Sequence, residues 1–233
     1  MAEKNSGSTY SGIMRDLEAQ KYAPVYVLMG DEPYFIDQIA GYIEERALLP
    51  EEKDFNQTVM YGADVAGAQV VDMAREFPLM AARRVVMVKE AQGLKGTDAI
   101  VKYLASPVAT TILVLCFKGG RVDRNLAAKA SAKGVLFESK KKRDYELPAF
   151  VESYLKVRKT AIEHKAAAMI AEHVGSDLAR LTSELDKVLI SLPADDRRIT
   201  PEIVERQIGV SKDFNVFELR NAIVEKNVFK ANQ

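Results

Sequence analysis

Apolar and polar positions divide the chain into two regions. From Ser11 to about Lys159, short apolar runs alternate with segments whose apolar residues recur at helical spacing. The runs predict five strands, at residues 25–29, 55–61, 84–88, 110–117 and 134–138. Helical spacing predicts helices around residues 13–17, 36–43, 70–77, 99–105, 125–132 and 144–158. Strands that alternate with helices in this way are typical of an α/β fold with a parallel sheet.

The strands differ in composition, and this predicts their places in the sheet. The fourth strand, Thr110–Phe117, is the most hydrophobic and is expected at the centre. The second, Phe55–Tyr61, is more polar and is expected near an edge. After Thr160 the strand signals stop, and helices are predicted at residues 161–174, 178–188 and 201–208. Ser176 is the expected N-cap of the second of these helices, and Thr200 that of the third, with Pro201 in its first turn.

The corner after the first strand resembles the start of a phosphate-binding loop. Gly30 ends the apolar run 25–29 and a helix follows it, as in such loops. A complete loop would require glycine, lysine and a hydroxyl residue where this chain has Phe35, Ile36 and Asp37. Asp31 and Glu32 would repel phosphate, and Asp31 is predicted to cap the helix that begins at Pro33. We therefore expect no nucleotide or other cofactor at this corner.

Composition excludes several classes of function. The chain has 33 lysine and arginine residues and 33 aspartate and glutamate residues. Its formal net charge is therefore zero, and no overall electrostatic field attracts nucleic acid or acidic membranes. The single Cys116, in an apolar run, predicts a buried thiol and no intramolecular disulfide. His164 and His173 fall on opposite faces of one predicted helix, so neither a metal site nor a catalytic residue is expected. Arg83 and Arg84 are expected at the surface. The polar first residues show no secretory signal and no apolar run reaches membrane-spanning length, which favours a cytoplasmic protein.

Four segments in order carry a family resemblance. They are Val25–Phe35, Phe77–Val88, Gly175–Lys187 with its Leu178, Leu181 and Leu185, and Ile199–Ile223 with Thr200, Val204, Phe217 and Ala222. Together they resemble the delta subunit of bacterial DNA polymerase III, a clamp-loader subunit with an AAA+-like fold. The resemblance implies a disordered lead (residues 1–10), an AAA+-like α/β domain (11–159) and a three-helix lid (160–212). It also implies that residues 213–233 begin a helical collar domain that is truncated in this sequence.

The resemblance also implies a binding role. Leu79 and Met80, with Phe77 and Pro78 shaping their loop, match the hydrophobic wedge that inserts into the sliding clamp, the beta subunit, and favours ring opening. Family members often carry an aromatic residue at the position of Met80. The open alternative is that Leu79 and Met80 pack in the core, as a leucine beside a strand commonly does. Other loader subunits would bind through the missing collar domain, and ATP would act on those partners.

Three alternatives stay open. The first is a diverged P-loop ATPase or nucleotidyltransferase, which the missing lysine disfavours; the family implies no catalysis by this chain, although the holoenzyme is a nucleotidyltransferase. The second is a DNA-binding module built on the basic run Lys140, Lys141, Lys142 and Arg143, which is otherwise a solvated loop with at most weak phosphate contact. The third is a delta-prime subunit. Such a subunit is expected to bind zinc through a cluster of cysteines, and the single cysteine of this chain disfavours it.

Overall fold

A computed structural model of the chain describes residues 9–120, 122–193 and 197–208. The chain forms two compact units that divide between Lys141 and Lys142. The domain boundary expected between residues 159 and 160 lies within the second unit. Most of the expected lead and the whole of the expected collar segment, residues 213–233, lie outside the described residues.

A five-stranded parallel sheet forms the centre of the first unit. Its strands run in the spatial order β2-β3-β4-β1-β5. They are β1 (Val25–Gly30), β2 (Gln57–Tyr61), β3 (Arg84–Lys89), β4 (Thr111–Lys118) and β5 (Val135–Ser139). The predicted α/β class is therefore confirmed, with β4 in the middle and β2 at an edge.

Helices cover both faces of this sheet. They are α1 (Tyr10–Glu18), α2 (Pro33–Arg46), α3 (Pro50–Asn56), α4 (Gly67–Arg75), α5 (Thr97–Tyr103) and α6 (Arg124–Lys133). One core layer joins α1 and α2 to alternate residues of the strands, such as Leu28 and Val114. The other joins α4, α5 and α6 to the residues between them, such as Val27 and Leu115. The strands read as continuous apolar runs because side chains are buried on both faces.

Two local predictions for the first unit are wrong. Phe55 and Asn56 do not begin the second strand but end α3, a short helix that Pro50 opens and that Glu52 caps by accepting the Leu49 N–H at 2.9 Å. Glu32, not Asp31, is the N-cap of α2, and its Oε1 accepts the Tyr34 N–H at 3.1 Å. The longer Glu side chain reaches the same donor that an aspartate one position earlier was expected to meet.

The second unit is helical. Its helices are α7 (Leu147–Val157), α8 (His164–Val174), α9 (Leu178–Ser191) and α10 (Pro201–Ile208), and α8 packs against the other three. Two residues at 161–162 (β6) pair in parallel with two at 198–199 (β7), a bridge that no sequence pattern predicted. The N-cap of α9 is Asp177, whose Oδ1 accepts the Arg180 N–H at 3.0 Å, so the prediction of Ser176 is wrong by one residue. Within the described ranges, no helix is both long and apolar enough to cross a membrane.

Candidate functional site

An apolar loop at residues 76–83, the connection between α4 and β3, presents large side chains to solvent. Phe77 is 84% exposed, Leu79 56% and Met80 97%. Pro78 is half-buried. These exposures exclude the core alternative for Leu79 and Met80. A group of neighbouring, exposed, large apolar side chains is typical of an interaction surface.

Buried polar groups hold the middle of the apolar loop. Asn56, at the end of α3, is completely buried. Its Nδ2 donates to the Leu79 carbonyl at 2.9 Å, and its Oδ1 accepts the Leu79 N–H at 2.6 Å. The same Nδ2 also donates to the Glu52 carbonyl at 3.0 Å. One side chain therefore satisfies both backbone groups of the residue that carries the exposed leucine.

An ion pair ties the two ends of the apolar loop together. Arg84 Nη2 lies 2.6 Å from Glu76 Oε2, and Arg84 Nη1 donates to the Phe55 carbonyl at 3.3 Å. The expectation that Arg84 lies at the surface is wrong, because the residue is buried. The neighbouring Arg83 lies over the ring of Tyr22, 4.6 Å from its centroid. The loop is thus closed at its base and fixed at its centre.

Met80 has an unusual backbone conformation. Its φ is +53°, in the left-handed region that costs a non-glycine residue roughly 1–2 kcal/mol. Residues held in this region persist where surrounding contacts fix them, and such residues cluster at functional sites. The Asn56 contacts to Leu79 hold the peptide group that precedes Met80. The side chain of Met80 is almost fully exposed beside a backbone segment that is held in place.

The corner at Gly30 is closed by the protein itself. Only two residues, Asp31 and Glu32, separate β1 from α2. Ser139 Oγ donates to the Glu32 carbonyl at 2.7 Å, and the Glu32 N–H points to the Ser139 carbonyl at 3.3 Å. Gly30 has φ +132°, and a Cβ there would collide with the Ser139 carbonyl oxygen. Backbone from β5 therefore packs directly against this corner and leaves no room for a side chain at Gly30.

A pocket of about 460 Å³ lies beside this corner, at the carboxyl edge of the sheet. Ligands of open parallel sheets bind at this edge. The lining carries charges of both signs, Asp31 and Glu138 against Lys140 and Lys141. Lys118, at the end of β4, pairs with Asp37 of α2 at 2.8 Å rather than pointing alone toward the pocket. The arrangement gives no concentration of positive charge for a polyphosphate.

The basic run divides between the two units and has contacts within each. In the first unit Lys140 lies 3.7 Å from Glu138. In the second, Lys142 lies over the ring of Phe150, 5.9 Å from its centroid. Arg143 Nη1 donates to the Tyr145 hydroxyl at 3.4 Å. These contacts engage three of the four basic side chains within the protein and leave room for a weak contact to phosphate.

The histidines and the cysteine of the chain lie outside the apolar loop. His164 and His173 lie in the same helix, as predicted, and His164 Nδ1 is 2.9 Å from Glu152 Oε1. Among the described residues, no three His, Cys, Asp or Glu side chains are grouped to hold a metal. Cys116 is buried as predicted. Burial, together with the nearby Asp37, raises the pKa of its thiol to about 12 although Lys118 lowers it, so the thiol is a poor nucleophile.

Fold and surface together define a class of protein: an α/β protein with a five-stranded parallel sheet, a closed corner after its first strand and an exposed apolar loop, followed by a helical unit. Residues 26–140, which contain both the corner and the loop, match the family model described as DNA polymerase III, delta subunit. DNA polymerase III subunit delta of Bacillus subtilis is 28% identical over 226 residues, covering 92% of this chain and 65% of that protein.

A solved structure gives the same assignment of fold. The Bacillus subtilis DNA clamp loader delta protein (YqeN) matches with a TM-score of 0.74 and 24% identity, over 97% of this chain and 70% of that one. A point mutant of Thermotoga maritima RuvB matches with a TM-score of 0.46 and 16% identity, over 93% and 76% of the two chains. The predicted resemblance is confirmed: the chain is similar to the DNA polymerase III delta subunits in sequence and in fold. It spans just under two thirds of the length of its curated relative.

Sequence reasoning finds the exposed residues of the apolar loop but misses the residues that hold it. The pattern places Asn56 in a strand and Arg84 at the surface. One signal is present in the sequence: Arg84 is the only charged residue within the otherwise apolar run 84–88. An arginine at the start of a strand that is buried on both faces must find a partner, and Glu76 is that partner.

Proposed function

We propose that this chain acts as a clamp-loader delta subunit of the replicative DNA polymerase III holoenzyme and binds the sliding clamp through the apolar loop. Homology to delta subunits supports the role. The observation that carries the site is the exposure of Phe77, Leu79 and Met80 on a loop that buried side chains fix in place. A rigid apolar projection loses little conformational freedom when a pocket takes it up, so more of its burial contributes to affinity.

Ring opening follows from differential binding. A ligand shifts the equilibrium between closed and open rings only by the difference between its affinities for the two forms. In this proposal the loop binds the clamp near a subunit interface and has the higher affinity for the open ring. The chain makes and breaks no covalent bond. ATP binding by partner subunits would drive the cycle, DNA contact would be indirect or weak, and the chain would act in the cytoplasm.

The rival functions predict different measurements. An ATPase or nucleotidyltransferase requires nucleotide turnover by the isolated chain, which the closed Gly30 corner disfavours. A DNA-binding module based on residues 140–143 requires salt-dependent DNA binding in the absence of clamp. Neither rival accounts for the exposed apolar loop.

The direct test is to mix the chain with the clamp of its own organism and measure molar mass after size-exclusion chromatography. The expected species contains one copy of this chain and one clamp protomer, because a bound chain that favours the open form releases ring contacts. A clamp that elutes as an intact ring, with the chain running separately at micromolar concentrations of both, would refute the proposal.

A further inference from the structure

Two hydrogen bonds of the buried Asn56 side chain are directed at one particular residue of the apolar loop. A buried side-chain amide needs partners, and several backbone carbonyls near the end of a helix could supply them. Here Asn56 pairs in two directions with one residue 23 positions away, through Leu79 N–H at 2.6 Å and Leu79 C=O at 2.9 Å. This pair of hydrogen bonds reproduces what a neighbouring strand would offer. It fixes Leu79 at a point in the chain that belongs to a loop rather than to a strand.

The consequence concerns the next residue. The bonds hold both peptide groups that flank Leu79, and the second of these is also the peptide group that enters Met80, whose φ is +53° where a methionine ordinarily favours negative φ. The ion pair of Arg84 with Glu76 closes the base of the loop, whereas Asn56 bonds directly to the residue before Met80. Asn56 is therefore the side chain that couples the core of the first unit to the exposed pair.

We propose that Asn56 is a positioning residue for clamp binding: its paired hydrogen bonds hold Leu79 and Met80 in the binding arrangement before the clamp arrives. The inference rests on the proposed function and adds a mechanism to it. A binding-competent arrangement that is populated only in part raises the apparent Kd by the inverse of that population. If removal of Asn56 leaves the arrangement about one tenth populated, clamp affinity falls about tenfold.

A double-mutant cycle separates positioning from general stability. The proteins compared are Asn56→Ala, the double variant Leu79→Ala with Met80→Ala, and the triple variant. Clamp affinity is measured for each by titration calorimetry with the folded fraction confirmed. Asn56→Ala is expected to weaken binding about tenfold, and the triple variant to bind no more weakly than the double variant, because Asn56 acts only through the pair it positions.

Ser139→Ala is the matched control. It also removes a buried hydrogen bond from a side chain to a backbone carbonyl, that of Glu32 at 2.7 Å, but at the carboxyl edge of the sheet rather than at the apolar loop. We expect it to lower the melting temperature and leave clamp affinity unchanged. The wild-type chain offers a second test that needs no variant: the Leu79 amide should be protected from hydrogen exchange in the free protein.

The outcomes are distinguishable. Unchanged binding by Leu79→Ala with Met80→Ala overturns the proposed use of the loop, and this inference with it. Weaker binding by that double variant but wild-type affinity for folded Asn56→Ala overturns the inference alone. So does an equal loss from Asn56→Ala in the wild-type and double-variant backgrounds, or an unprotected Leu79 amide in the wild-type chain.

Discussion

Replacement of both Leu79 and Met80 by alanine should weaken clamp binding strongly. Full burial of a leucine or methionine side chain is worth about 1.5–3 kcal/mol. Leu79 has 56% of its surface left to bury and Met80 97%. Scaled in this way, the two contribute about 2.5–4.5 kcal/mol, from which ordering of the flexible methionine subtracts about 1 kcal/mol. The remainder corresponds to a loss of affinity on the order of 100-fold.

The assay is a titration of immobilised cognate clamp with wild-type and variant chains. Both side chains are exposed, so the free energy of unfolding should change by no more than about 0.5 kcal/mol, and a melting curve checks this. The matched control replaces Val157 and Ile190, which are 81% and 86% exposed on helices of the second unit, by alanine. That control should bind like wild type. A folded Leu79 and Met80 variant whose Kd stays within about threefold of wild type would refute the reasoning.

Three further predictions concern the first unit. Gly30→Ala should lower the free energy of unfolding, measured by urea denaturation, by about 2–4 kcal/mol, because the new Cβ collides with Ser139. The control Gly41→Ala places its Cβ where nothing lies within 4 Å and should raise the free energy of unfolding by about 0.5–1 kcal/mol. Equal effects of the two variants would contradict this account. The thiol of Cys116 ionises near pH 9 in the unfolded chain but near pH 12 in the folded chain. The free energy of unfolding of wild type, relative to that of Cys116→Ala, should therefore fall by about 1.4 kcal/mol per pH unit between those two values. A difference between the two proteins that does not change with pH would refute this prediction. Equilibrium dialysis with labelled ATP and magnesium should show no saturable binding, and saturation would reopen the ATPase alternative.

The regular part of the fold could be predicted because burial on both sheet faces leaves a strong signal. The predicted runs at β1, β3 and β4 agree with the structure to within one residue, since nearly every position in them is apolar. The predicted start of the second strand was wrong, because its apolar residues do not all belong to the strand. Phe55 is exposed at the end of α3, yet an aromatic residue before a β-branched run reads as the start of a strand. A short polar helix such as α3 has too few turns to display a period.

The candidate site was predictable in its exposed residues and not in its support. Leu79 and Met80 are identified through the resemblance, whereas their exposure required the structure, because apolar residues beside a strand are usually buried. The contact of Asn56 with Leu79 joins residues 23 positions apart, and no local pattern encodes such a pair. The shift of a helix cap from Asp31 to Glu32 has a similar cause, since both side chains carry suitable acceptors and only the path of the backbone decides between them.

The closed corner at Gly30 has a consequence for control of the molecule. The corner lies at the carboxyl edge of the sheet and the apolar loop at the amino edge of β3, about 20 Å away along a six-residue strand. Ser139 and Glu32 already satisfy each other at that corner without a bound nucleotide. The apolar loop is exposed in the same structure in which that corner is closed. Under the proposed function, access of the clamp to the loop would therefore be controlled by covering or uncovering a surface that is already formed, and not by a nucleotide at the corner.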